Sequence, residues 1–438
     1  MRILLLTHYY EPEIGAPQRR WTALVRAWQA AGHEITVIAP LPHYPIPSAT
    51  AGLRAGMTPW GVMSGRFGER VVRVPYFSHG YGTMGRSVDH AVVALATAAV
   101  GLLRRIRGCR ADVVIATVPA LPTLVAGRLL SLAHRASLVV EMRDAWPDLL
   151  THTPGLRAED APRQLLRRAV YRAVTYWQRG ADIVVTTSAS FAQVLAHRGV
   201  RTTHVIRNGA DLADTPDLGP SIRGRREGRE LRILYAGTLG RSQGLGAAVE
   251  AAHRVAREGV PVRLRLIGDG ARRGDLHRLA EDGPADIEIL EPVPRAHILE
   301  HYRWADTLLV SLRDWEPLRW TIPSKLYEAL ATDRHVSGVL AGEAAQVLEE
   351  ADGGFTVAPG DARSLADRWL ELAGREEITG GGRGWVADHA QYGTLASRYL
   401  QTLELAVSRG RRGVRRQWAA RRLEARRAAW RGGRRAEP

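Results

Sequence analysis

Short apolar runs alternate with amphipathic helical stretches along almost the whole chain, and that rhythm restricts it to α/β architectures built on parallel strands. In the first half, Arg2–Thr7, Glu34–Ala39, Arg70–Val74, Asp112–Thr117, Ser137–Glu141, Asp182–Thr187 and His204–Ile206 read as strands. Helices are expected between them over Pro17–Ala31, Val88–Arg107, Leu121–Ala133, Pro162–Arg179 and Ser190–His197. From Asp211 to Glu230 periodicity stops and Gly, Pro, Asp and Arg dominate, which marks a linker. A second series follows, with strands at Arg232–Ala236, Arg263–Ile267, Ile287–Leu290, Thr307–Ser311, His335–Val339 and Phe355–Ala358. Helices over Ala362–Leu372 and Tyr392–Val407 close it. Two such series predict two doubly wound parallel-sheet domains facing a cleft, with ligands at the carboxyl ends of the strands. The expected division is 1–210, a linker over 211–230, 231–391, a helix over 392–408 and a tail over 409–438.

Composition removes several function classes. A single cysteine, Cys109, excludes an intrachain disulfide framework and a Cys-rich metal centre, and it suits a reducing cytoplasm. The N-terminal Met1–Thr7 reads as a strand and not a signal peptide. The longest largely apolar run, Ala91–Leu103, is 13 residues, short of a membrane span; it reads as a buried or an interfacial helix. The net charge of +16 is concentrated at the end: 409–438 holds twelve arginines against Glu424 and Glu437, a local +10. That tail can lie on an anionic membrane surface as a basic amphipathic helix or remain solvated. Nucleic acid is not expected, because no recognition module accompanies the charge.

Lysine occurs once, at Lys325, while the other 60 of the 61 strongly basic residues are arginine. It stands in Ile322-Pro323-Ser324-Lys325-Leu326-Tyr327-Glu328, where turn chemistry opens an apolar helix. Ser324 as a cap, the lysine charge and free N–H groups together favour a diphosphate; an ordinary capped helix with a surface lysine is the alternative. One lysine also leaves no room for a Walker A loop. Gly15, in the turn after the first strand, would let backbone approach a phosphate, or serve only the turn. The second domain repeats the device at Gly237-Thr238-Leu239-Gly240-Arg241-Ser242-Gln243-Gly244, where Arg241 offers a forked donor. Gly268 ends the next strand in a third glycine-rich turn. Glu328 shares a helix face with Lys325 and is suited to ribose hydroxyls or to a plain ion pair. Arg143 and Asp144, after the fifth strand, are the polar candidates near a reacting sugar; an Arg–Asp turn pair is the other reading. Asn208-Gly209 reads as a structural turn. The chain lacks Asp-x-Asp, His-Glu-x-x-His and Gly-x-Ser-x-Gly, and its 15 histidines show no metal spacing along the sequence, so no metal is expected. What remains is chemistry by binding and by charge stabilisation of a phosphate leaving group.

The set Tyr-Tyr-x-Pro-Glu-x-Gly, Gly32-His33-Glu34, Arg143-Asp144-x-Trp146-Pro147, Asn208-Gly209-x-Asp211, Tyr235-Ala236-Gly237 with Gln243-Gly244-Leu245, and Pro323-Ser324-Lys325-Leu326-x-Glu328 resembles glycosyltransferase family 4. It is most similar to the branch acting in O-antigen, capsule and exopolysaccharide assembly, including amino-sugar transferases. The resemblance implies a GT-B fold of two Rossmann-like domains, a nucleotide diphosphate-sugar as co-substrate, and no cofactor. It further implies retaining transfer without a metal to a glycan or polyprenyl-linked acceptor, and a C-terminal helix packing back on the first domain. Under it the donor set is Gly15, Gly237, Arg241, Gly268, Ser324, Lys325, Leu326 and Glu328. Asp144, Arg143 and Lys325 are catalytic, and His43 and Tyr44 lie on the acceptor side. The chain departs from the pattern in three places. Trp320 stands where a first glutamate is usual, Thr238 and Gln243 replace an Arg and a Lys, and Arg143 replaces a common histidine. Lys325 and Arg241 are expected to supply the missing diphosphate charges. A nucleotide-sugar 2-epimerase and a non-catalytic nucleotide-sugar-binding partner are the rival readings; the expected location is cytoplasmic, peripheral on the inner face of the plasma membrane.

Overall fold

A computed structural model describes residues 1–13, 15–43, 57–79, 83–149, 161–223 and 230–410. Its first sheet contains β1 (Arg2–Leu6), β2 (Glu34–Pro40), β3 (Val62–Ser64), β4 (Arg70–Val74), β5 (Val113–Val118), β6 (Ser137–Met142), β7 (Ile183–Thr186) and β8 (Thr203–Val205). They are ordered β3-β4-β2-β1-β5-β6-β7-β8, and every neighbouring pair is parallel except the β3 edge. β5, β6 and β7 are buried throughout, which is why they read as unbroken apolar runs and not as alternating strands.

After β9 (Ser221–Ile222), the second sheet takes β10 (Leu231–Ala236), β11 (Val262–Ile267), β12 (Asp286–Leu290), β13 (Thr307–Ser311), β14 (His335–Val339) and β15 (Gly354–Val357). Its order is β12-β11-β10-β13-β14-β15, wholly parallel, so the strand order reverses beside β10. The 211–230 segment is not all irregular: β9 pairs antiparallel with β16 (Glu377–Ile378). Two- and three-residue strands such as β3, β9 and β16 are too short to show a period, so the sequence hides them.

The helix over 392–410 leaves the second domain and lies against the first. Its Tyr399 is buried among Trp21 and Trp28 of helix Ala16–Ala30, and Trp28 Nε1 donates to the Ala396 carbonyl at 3.0 Å. Beneath that helix the Arg20 guanidinium is fully buried: Nε donates to Glu141 Oε1 at 3.2 Å, and Nη1 and Nη2 donate to the carbonyls of Arg207 and Ile206. Gly209 is required where the chain crosses between domains, since a Cβ there would overlap the Ala390 carbonyl.

Ala91–Leu103 is part of a longer helix, Thr83–Ile106, and this corrects the reading that no segment approaches a membrane span. Met84–Ile106 is long and apolar enough to cross a bilayer by length and composition. One face (Val93, Ala94, Ala96, Val100) belongs to the core, whereas Leu95, Leu103 and Ile106 are exposed.

Candidate nucleotide-sugar site

Lys325 is delivered by the helix Ser324–Ala331, which starts directly after the extended Pro323. Pro323 is the N-cap, and no side chain caps the helix, so Ser324 is its first residue and not its cap. Proline suffices there because its fixed φ suits the helix entry and its missing N–H needs no partner. Lys325 Nζ donates to the Tyr235 hydroxyl at 3.0 Å and lies 4.4 Å from that ring's centroid. Tyr235 in turn donates to the Thr238 carbonyl at 2.8 Å, which leaves its oxygen free to accept from the ammonium. Burial lowers the Lys325 pKa to about 7, an effect opposed by Glu328 and reinforced by Arg19. A half-buried ammonium in this state gains from any arriving anion.

The glycines form the floor of the site. Gly237 follows β10 with φ +147°, and a Cβ on it would overlap Lys325 Nζ. Gly268 follows β11 with φ +149°, and its Cβ would strike the Gly237 carbonyl. The two strand ends are therefore stacked backbone on backbone, joined by Gly237 N–H to the Ile267 carbonyl at 2.7 Å. Only residues without a Cβ allow the lysine to lie across this floor.

The opposite wall comes from the first domain. Gly15, extended at φ −178°, caps helix Ala16–Ala30, whose Arg19 forms an ion pair with Glu328 across the domain boundary. The charge near Lys325 that sequence reasoning missed is thus Arg19, because its position depends on how the domains meet. Trp320 also bridges them: its carbonyl accepts from Ser188 Oγ and its ring stacks on Phe191 at 6.4 Å. A cavity of about 570 Å³ opens beside the Arg19–Glu328 pair, with Tyr10, Glu13, Gln18 and Tyr392 also in its walls; Lys325 is not among its lining residues.

Two family models match. "Glycosyl transferase 4-like domain" covers residues 15–209, and "Glycosyl transferases group 1" covers 230–375. The chain belongs to the GT-B glycosyltransferases. It is 25% identical over 293 residues to WcaI of Escherichia coli (strain K12), whose name assigns it to glycosyl transfer in colanic acid biosynthesis; the match covers 64% of this chain and 69% of WcaI. Among solved structures, sucrose-phosphate synthase from Thermosynechococcus elongatus superposes with TM-score 0.66 at 17% identity, over 93% of this chain and 99% of that one. Anabaena HepE in complex with UDP and glucose gives 0.64 at 17% identity, over 92% and 99%. These likenesses show the fold.

Within this glycosyltransferase the remaining sequence candidates divide. Leu326 is fully buried in the core, and its N–H is used by the Pro323 carbonyl, so its side chain offers nothing to a donor. Arg241 is exposed on its loop, and no contact joins it to Lys325 among the described residues. Glu328 is already engaged by Arg19, so a ribose would have to share or displace that pair. Arg143 is buried with Nε 3.9 Å from Glu141 Oε1, the carboxylate that Arg20 also uses, and makes no ion pair with Asp144 among the described residues. Burial lowers the Arg143 pKa, and burial raises that of Asp144 against the pull of Arg143. His43 joins a cluster with His8, His79 and Asp89 that no spacing along the chain revealed. Tyr44 and the tail beyond Gly410 lie outside the described residues.

Proposed function

We propose that this enzyme transfers a sugar from a nucleotide diphosphate-sugar to a glycan or lipid-linked acceptor in cell-surface polysaccharide assembly. The relationship to WcaI supports the pathway class, and the UDP-bound HepE structures support the donor class. The observation that carries the reading is the Lys325 ammonium, laid over the Gly237–Gly268 floor at the carboxyl end of β10 and faced by Arg19. In the proposed step the bond between the anomeric carbon and the diphosphate oxygen breaks, and its electron pair goes to that oxygen. Lys325 and Arg19 neutralise the charge that develops there. The acceptor hydroxyl forms the new bond on the face just vacated and passes its proton to the departing diphosphate, which gives retention. Asp144 and Arg143 orient the sugar and the acceptor.

An apolar surface of the first domain also supports action at the cytoplasmic face of the plasma membrane. Leu95, Leu103 and Ile106 are exposed on helix Thr83–Ile106, beside exposed Leu129 and Leu132 of helix Thr123–His134, with Arg107 and Arg110 at the edge. Apolar residues bordered by arginines suit an anionic interface. The decisive assay follows nucleoside diphosphate release from a panel of nucleotide sugars, with and without lipid-linked acceptor. Release that requires an acceptor and is lost in Lys325→Ala supports transfer. Isomerisation without acceptor would identify an epimerase instead.

A further inference from the structure

Three neighbouring strands of the first sheet each deliver one histidine to a common point. His8 follows β1, His43 follows β2 and His79 follows β4, and helix Thr83–Ile106 contributes Asp89. One atom, Asp89 Oδ2, is approached by His8 Nε2 at 3.0 Å, His79 Nε2 at 3.5 Å and His43 Nε2 at 3.7 Å. Asp89 is fully buried; its Oδ1 accepts from the Phe77 N–H at 2.9 Å, whereas Oδ2 receives no aligned hydrogen bond. A buried carboxylate oxygen facing three imidazole nitrogens calls for a shared proton or a cation between them.

The tautomer of His43 sharpens the point. Its Nδ1 lies 2.9 Å from the Leu41 carbonyl, which can only accept, so Nδ1 carries the proton. In the neutral ring Nε2 then presents a lone pair to the lone pairs of Asp89 Oδ2. A backbone carbonyl fixing Nδ1–H behind an Nε2 ligand is the usual support of a metal-bound histidine. Donor atoms around a four-coordinate ion at about 2.0–2.1 Å stand roughly 3.3 Å apart, and the three approaches to Oδ2 bracket that spacing. Ligand atoms of His8, His43 and Asp89 all lie within 4.8 Å of one another. The rings are held in place: His43 stacks on Tyr76 at 4.7 Å, and His8 meets His43 edge-on at 5.1 Å.

We propose that His8, His43 and Asp89 bind one divalent transition-metal ion of the zinc class, with His79 beside the carboxylate. The ion would tie the carboxyl ends of β1 and β2 to helix Thr83–Ile106, fixing the acceptor-side wall of the first domain. It shares no residue with the diphosphate site and does not depend on the transfer reading.

The test uses the full chain, stripped with a chelator and titrated with Co²⁺. A visible d–d absorption band saturating at one equivalent per chain, and displaced by Zn²⁺, is expected. His43→Ala and Asp89→Asn should each weaken Co²⁺ binding by about 100-fold or more. His277→Ala, on the exposed face of helix Arg273–Glu281, should leave it unchanged. Circular dichroism verifies that each variant is folded, and His43→Ala decides if Asp89→Asn is not. Absence of a saturable band in the unsubstituted protein overturns the proposal, since a shared proton would then suffice. So does a band that persists in folded His43→Ala.

Discussion

Both domains place their polar chemistry at the carboxyl ends of parallel strands, yet they assemble it in opposite ways. In the second domain Lys325, Ser324 and Glu328 come from one helix start, and Gly237 and Gly268 come from the turns directly after adjacent strands. In the first domain His8, His43, His79 and Asp89 come from four separate segments and meet only because β4, β2 and β1 are neighbours in the sheet. The second domain offers a cation to an arriving anion. The first offers a buried anion and imidazoles to a cation. The same sheet architecture therefore supports opposite electrostatics, decided by which residues end the strands.

Four perturbations break or sharpen this contrast. The largest acts on neither cluster. Arg20→Ala takes the nearer cation from the buried Glu141 and leaves it Arg143 at 3.9 Å, which should cost about 3 kcal/mol in urea-induced unfolding. A much smaller loss would mean that the helix carrying Arg19 is not anchored as described. Next, Lys325→Ala should lower transfer by roughly 10²–10³-fold, the usual effect of deleting one donor to a developing anion. The Co²⁺ band of the first domain should be unchanged in that variant; a common loss would show that the two regions are one site. Third, donor affinity should fall by up to about tenfold per pH unit above pH 7 in the parent enzyme, because only the protonated lysine attracts the diphosphate. Lys325→Arg should remove that fall, and a profile identical in both proteins would place the titration elsewhere. The smallest expected effect concerns the membrane. Leu103→Ser with Ile106→Ser should reduce sedimentation with vesicles of anionic phospholipid severalfold at most, leaving turnover on a short soluble acceptor unaltered.

Much of the fold was legible because the signals for it are local. Apolar strand runs, glycine turns and helical periodicity lie within windows of a dozen residues, and β1, β4, β10 and β13 fall within a residue or two of their expected limits. The linker's pairing with β16 was not legible, since a two-residue strand carries no pattern and its partner lies about 150 residues away. The site divides along the same line. Lys325 and the glycine floor belong to contiguous motifs. Arg19 is one arginine among 60, and only the closure of the domains distinguishes it from the exposed Arg241. Ser324 was misread because a residue with a good capping side chain stands one place inside the helix, where Pro323 already provides the entry. The histidine cluster was invisible for a topological reason. Its histidines are about 35 residues apart along the chain, so no ligand spacing exists for a sequence pattern to show.

Lys325 is the chain's one lysine, so protein labelled with ¹³Cε-lysine yields a single side-chain resonance whose pH titration reports this ammonium alone. The account predicts a midpoint near 7, moved lower by Glu328→Gln and higher by Arg19→Ala, and raised by a unit or more when a nucleoside diphosphate binds. A midpoint at the ordinary lysine value, indifferent to nucleotide, would contradict it.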